Sequence, residues 1–147
     1  MSDTIQAGLQ QALADTYALM IKTHLYHWNV TGNQFASLHT QFQTQYEALF
    51  IAADDIAERI RQLGAKVEGG IASFADASNL PDPDAITASQ MLTELLADHQ
   101  SISASLVSFA NMADELGDRV TADLLTVRAA DHDKTAWMIG AQLQQHK

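Results

Sequence analysis

Both prolines of this 147-residue chain fall within one pentapeptide, Leu-Pro-Asp-Pro-Asp at positions 80–84. Only glycine and capping residues can therefore end a helix in the long stretches on either side. In those stretches the apolar residues recur at helical spacing. A first run extends from about Thr4 to Val30, with Leu9, Leu13, Tyr17, Met20, Ile21 and His24 on its apolar stripe, and Gly32 offers a left-handed stop. A second run, with Asn33 as its expected N-cap, continues through Phe35, Leu38, Phe42, Tyr46, Leu49, Phe50, Ile56, Ile60 and Leu63 to Gly64. A third opens on Thr87-Ala-Ser-Gln90, which has capping-box form, and passes through Leu92, Leu96, His99, Ile102, Leu106, Phe109 and Leu116 to Gly117. Asp118 then caps a fourth, through Val120, Leu124, Leu125, Val127, Trp137, Ile139 and Leu143.

The segment between the second and third runs, AKVEGGIASFADASNLPDPDAI, carries a glycine pair and both prolines, with room for one short turn of helix at IASFADA. Short links join the first two long helices and the last two, so each pair is antiparallel and the middle segment crosses the bundle. The expectation is an all-α four-helix bundle with a long crossover, forming one domain over residues 1–147.

Composition narrows the function. The chain has no cysteine, so it makes no disulfide and offers no thiolate, and a bound transition metal must take nitrogen and oxygen ligands. Eighteen acids against eight bases give a formal charge of −10, and no Lys or Arg precedes Lys22. Coating of DNA is therefore not expected, whereas attraction of cations is. The first residues, MSDTIQAGLQ, lack the basic start and apolar core of a signal peptide, and no apolar run has the length of a membrane span. The expected location is the cytoplasm.

Three of the six histidines stand in HLYHWNVTGNQFASLH, from His24 to His39. His24 and His27 are three apart on one helix face, and the short turn folds His39 back toward His27. Two imidazoles alone lack the hard negative oxygens that iron prefers. The carboxylates come later, in DDIAER, where Asp54 and Glu58 are four apart on one face. Fifteen residues separate His39 from Asp54, roughly 22 Å along a helix, so one chain cannot use all four at one ion. Those fifteen steps leave the two positions only about 60° apart around the axis. A second copy of the helix, packed antiparallel about a two-fold axis, brings His39 of one subunit to Asp54 and Glu58 of the other, making two equivalent sites per dimer. A di-iron centre inside one bundle is disfavoured, because the residues three before the histidines are Ile21, His24, Ala36, Leu96, Ala129 and Leu143, and none is Glu. The plainer alternative for Asp54 and Glu58 is a solvated face paired with Arg61. His99 and His132 are expected as hydrogen-bonded core residues and His146 as tail.

The segments HWNVTGNQFASLH, DDIAERI and HDKTAWM resemble the Dps family of mini-ferritins, and the resemblance spans nearly the whole chain. It implies a ferritin-like bundle that assembles into a dodecameric shell, oxidises ferrous iron preferentially with hydrogen peroxide, and stores the ferric mineral inside. On this resemblance His27 and His39 of one subunit and Asp54 and Glu58 of its two-fold mate hold the iron. The chain departs from the family pattern at Gln43, where an acid is expected four residues after the second histidine. A neutral amide binds iron less strongly than a carboxylate and does not bridge as an anion. Glu47, one turn further, is placed to help through water, and His24 offers a nitrogen that tilts the site toward zinc or copper. The family also implies acidic pores, for which Asp114, Asp118 and Asp123 are the candidates, with Arg119 interrupting them. Trp28, beside His27, reads as a packing anchor, the alternative being a role in taking up oxidising equivalents that escape the site.

Overall fold

The computed structural model describes residues 3–144. Four long helices and one short one make up the architecture, α1 (Asp3–Asn29), α2 (Phe35–Gln62), α3 (Ile71–Ala77), α4 (Ala88–Glu115) and α5 (Arg119–Leu143), and no strand occurs among the described residues. The anticipated stops hold: Gly32, Gly64 and Gly117 have φ of 108°, 90° and 84°, values that L side chains rarely adopt. Thr87 and Gln90 form the full capping box, each side chain accepting from the other's backbone N–H at 3.1 Å.

One cap differs from expectation. Asn33 does not cap α2; the flanking residue is Gln34, which makes no side-chain cap. The turn closes through backbone alone, with Phe35 N–H donating to Gly32 O at 3.1 Å and Leu38 N–H to Gln34 O at 3.0 Å. The cap position falls on Gln34, one residue later than the sequence suggests, because the glycine turn closes on its own backbone bonds. Some stripe positions also lie outside the core: Leu116, Val120, Val127 and Trp137 are all exposed.

α1 packs along α2 and α4 along α5, with α1 also against α4. Leu9, Phe42, Ile56, Leu95, Leu106 and Leu125 belong to one cluster of buried apolar residues drawn from all four long helices. Such burial is the main stabilising contribution.

The crossover is tied to α1. Buried Asp15 accepts from Ser78 Oγ at 2.9 Å and Asn79 N–H at 2.8 Å, and Gln10 exchanges two 2.9 Å hydrogen bonds with the backbone of Glu68. Phe74 of α3 stacks on Tyr17, ring centroids 4.7 Å apart. It lies so close to Gly69 that any side chain there would meet its ring at 2.6 Å. Because the connection runs along α1, it leaves Phe50 and Ile51 of α2 exposed.

A buried ionic group braces the same region. Lys22, 2% exposed, contacts Asp98 at 2.8 Å and Glu94 at 3.1 Å. Tyr26 Oη donates to Glu94 and accepts from Ala85 N–H. Burial, with the Glu94 hydrogen bond, pushes the Tyr26 hydroxyl up to about 12, so it stays protonated as a donor. Burial also raises the Asp98 carboxyl against the pull of Lys22.

At the start of α5, Asp118 accepts from Thr121 N–H at 3.0 Å, Thr121 Oγ1 at 2.5 Å and Arg59 Nη2 at 3.0 Å. Burial alone would raise this carboxyl, but those bonds and the Arg59 charge outweigh it and hold it below the usual range. Its stabilising contribution is full above the ordinary carboxylate range and is lost as pH falls through the depressed native value. Asp118→Ala is expected to cost about 1–2 kcal/mol near neutral pH. In urea titrations the gap to wild type should close on acidification; a gap independent of pH would contradict this account.

Candidate metal centre

The short turn between α1 and α2 brings His27 and His39 face to face. Their rings stack with centroids 3.7 Å apart and planes 16° apart. His27 Nδ1 lies 2.6 Å from His39 O, and His39 Nδ1 lies 2.7 Å from His27 O. A carbonyl only accepts, so each Nδ1 carries the proton and donates it. Each Nε2 therefore keeps its lone pair, which is the tautomer a metal ligand needs, oriented by a hydrogen bond from the opposite nitrogen.

His24 sits 6.0 Å ring to ring from His27, between Trp28 at 4.0 Å and Tyr46 at 4.2 Å. Tyr46 also meets His27 edge-on at 5.3 Å. Trp28 itself is 61% exposed, so its ring covers His24 on one side and faces outward on the other. Gln43 Nε2 donates to Glu47 Oε1 at 2.9 Å. Only the amide nitrogen can donate to a carboxylate, so the Gln43 carbonyl oxygen is left uncommitted while Glu47 is held one turn away.

Asp54 and Glu58 stand further along α2, exposed, and Asp55 joins them. Ligand atoms of the three carboxylates lie within 4.8 Å of one another. Helical spacing gave no reason to include Asp55, because adjacent residues diverge by about 100°; side-chain reach brings it in. Arg61 does not pair with this group, since its guanidinium donates to Ala65 O at 3.0 Å. The two histidines thus meet at one end of α2 and the acids cluster towards its other end. Exposed Ile21 and Trp28 of α1 and Phe50 and Ile51 of α2 add large apolar area near these groups.

The three acids considered for a pore differ in surroundings. Asp118 is committed to Thr121 and Arg59, whereas Asp114 and Asp123 are exposed and line a cleft of about 520 Å³ together with Arg119. His99 and His132 are buried and joined Nδ1 to Nδ1 at 2.8 Å; His146 lies outside the described residues. Besides Asp55, sequence reading missed the Lys22 ionic group and the Tyr46 ring against both histidines. The one available signal for Lys22 was its place on the buried stripe between Leu19 and Tyr26.

Four long helices with a crossing connection and paired histidine and carboxylate groups define a ferritin-like protein, and a model of the ferritin-like domain matches residues 6–147. An uncharacterized low temperature-induced protein of Nostoc is 39% identical over 89% of this chain and 75% of its own length. A Bacillus anthracis protein called DNA protection during starvation protein 2 is 31% identical over 99% of this chain and all of its own. Dps from Staphylococcus aureus superposes with a TM-score of 0.94 at 29% identity, covering 97% of this chain and 96% of that one. The chain belongs to the Dps family. A family member from Vibrio cholerae, described as belonging to a superfamily of ferritin-like diiron-carboxylate proteins, superposes with a TM-score of 0.90 at 27% identity over 97% of this chain and 93% of that one. Among the described residues no helix is long and apolar enough to cross a membrane.

Proposed function

We propose that the protein is an iron-storing ferroxidase whose sites form between subunits. The observation that carries this reading is the division of one ligand set along α2: two histidines with free Nε2 lone pairs near its start, and carboxylates roughly 22 Å further on. A two-fold mate supplies the missing half of each site. The exposed apolar residues beside these groups suit burial in such a contact. On family grounds the assembly is a shell of twelve subunits in the cytoplasm, with Asp114 and Asp123 drawing cations inward and Asp118 chiefly bracing the helix start.

Iron is the substrate. His27 and His39 bind a ferrous ion through Nε2, and Asp54 and Glu58 of the mate neutralise its charge and favour the ferric product. Two ferrous ions give up one electron each; the O–O bond of hydrogen peroxide breaks, and both oxygens leave as water after taking up two protons. Protection then comes from removing iron and peroxide together rather than from coating DNA. Trp28, exposed beside the site, is placed to take up an oxidising equivalent that escapes.

Gln43 leaves the site one negative charge short of the family pattern. Its free carbonyl oxygen serves as a neutral ligand and Glu47 as a carboxylate behind it. That charge deficit favours the alternative cargo of zinc or copper, with His24 as an added nitrogen. Titration of the anaerobic apo-protein with ferrous iron, followed by hydrogen peroxide, tests the reading. Rapid ferric absorbance at two irons per subunit is expected. Slow oxidation, with zinc displacing iron at equal concentration, would instead favour the zinc shell.

A further inference from the structure

A second feature lies on the α2–α5 face and shares no lining residue with the candidate metal centre. These helices are clasped at both ends. The amides of Gln41 and Gln142 exchange two hydrogen bonds of 2.7 Å at one, and Arg59 reaches Asp118 and Thr121 at 3.0 Å at the other. Between the clasps the helices stand apart over a cleft of about 670 Å³, within the size range of small-molecule sites.

Beneath it lies a buried polar chain whose proton positions follow from counting donors. A guanidinium only donates, so Arg128 Nη2–H donates to His132 Nε2 at 3.2 Å. The proton of neutral His132 is then on Nδ1 and is donated to His99 Nδ1 at 2.8 Å. His99 is left with its proton on Nε2. Both rings stay neutral, because burial first and the neighbouring positive charge second lower His99 to about 4, and burial, then His99 and Arg128, lower His132 to about 2. His99 is 2% exposed, yet its Nε2–H has no acceptor. Arg128 Nε–H, also buried, has none either, and Gln45 Oε1 has no donor. Unpartnered buried polar atoms are costly and uncommon.

Charge points to the occupant. Arg128 pairs with Asp131 at 2.9 Å and also feels the more distant charge of Asp55, while Lys134 has no carboxylate within ion-pair reach among the described residues, so the residues lining the cleft carry two cations against one anion in a chain of net charge −10. We propose that this cleft binds a small organic carboxylate, whose oxygens accept from His99 Nε2–H and Arg128 Nε–H while its apolar body lies along Ala48, Leu49 and Met138. Gln45 is the moving part: its side-chain oxygen meets no donor among the described residues, so the side chain swings aside to admit the carboxylate and turns its NH2 toward it. The proposal is independent of the iron reading.

Octanoate serves as the probe, with octanol as the same chain without the charge. The assembled protein, carrying 15N-histidine, is titrated near neutral pH while the His99 and His132 ring signals are followed. Octanoate is expected to shift the His99 Nε2 signal to saturation, and octanol to leave it in place. Gln45→Glu sets a carboxylate where the ligand's head would lie and should weaken binding at least about tenfold. If that variant does not assemble, Lys134→Glu, altered at an exposed position, should weaken binding in the same direction. No His99 shift by about 10 mM octanoate, far weaker than specific binding, would overturn the proposal. So would an equal shift with octanol, or binding that the added carboxylate leaves unchanged.

Discussion

Replacing His27 and His39 together by alanine is expected to slow peroxide-driven oxidation of ferrous iron by at least about 100-fold, since disturbing only an outer partner of a ligand already costs about 10–100-fold. The backbone should survive, because the turn is closed by its own hydrogen bonds at Gly32 and Gln34. A mixing experiment tests the proposed sharing of each site between two subunits. Subunits lacking both histidines are dissociated and reassembled at equal amounts with subunits carrying Asp54→Ala and Glu58→Ala. Each parent is expected to be inactive on its own. A site built across a two-fold axis draws its histidines from one parent and its acids from the other in about one case in four, so about a quarter of wild-type activity should return. A site confined to one chain returns none, and that outcome would remove the central claim of the proposed function.

The second large effect falls on stability. Lys22→Met leaves Asp98 as a buried carboxylate without its cation, while Glu94 keeps Tyr26 Oη and the Asp84 backbone N–H as donors. Removing one member of a buried pair costs about 3–5 kcal/mol. The pH dependence carries the diagnosis. Burial already raises the Asp98 carboxyl, and loss of Lys22 raises it further. A group raised in the native state penalises folding most when it must be charged, so the deficit of the variant is greatest at high pH and shrinks as pH falls through the raised value. Urea unfolding of both proteins at several pH values measures this. A deficit that stays constant or grows on acidification would mean that lost packing, rather than a stranded charge, dominates.

Much of the architecture was legible because its signals are local. Glycines at 32, 64 and 117 and the Thr87–Gln90 box act within a few residues, so the periodic stripe and its punctuation were enough to place the long helices. The cap of α2 was misplaced at Asn33 because a tight turn satisfied its own backbone, a matter of loop geometry that residue preference does not carry. At the candidate centre the spacing placed His27 near His39 and kept the acids at a distance. Asp55 was missed because side-chain reach, not helical phase, brings it to Asp54 and Glu58.

What the sequence by itself determined is what depends on near neighbours along the chain: helix lengths, their ends, the crossover, and the separation of histidines from carboxylates on α2. Only the tertiary structure decided how distant groups pair. It set the tautomers of His27 and His39 through each other's carbonyls. It buried Lys22 between two acids of α4, and it joined His99 to His132 beneath the α2–α5 cleft. Those pairings depend on interhelical distances of a few ångströms, which arise when separate helices share one core and which no spacing along a single helix encodes.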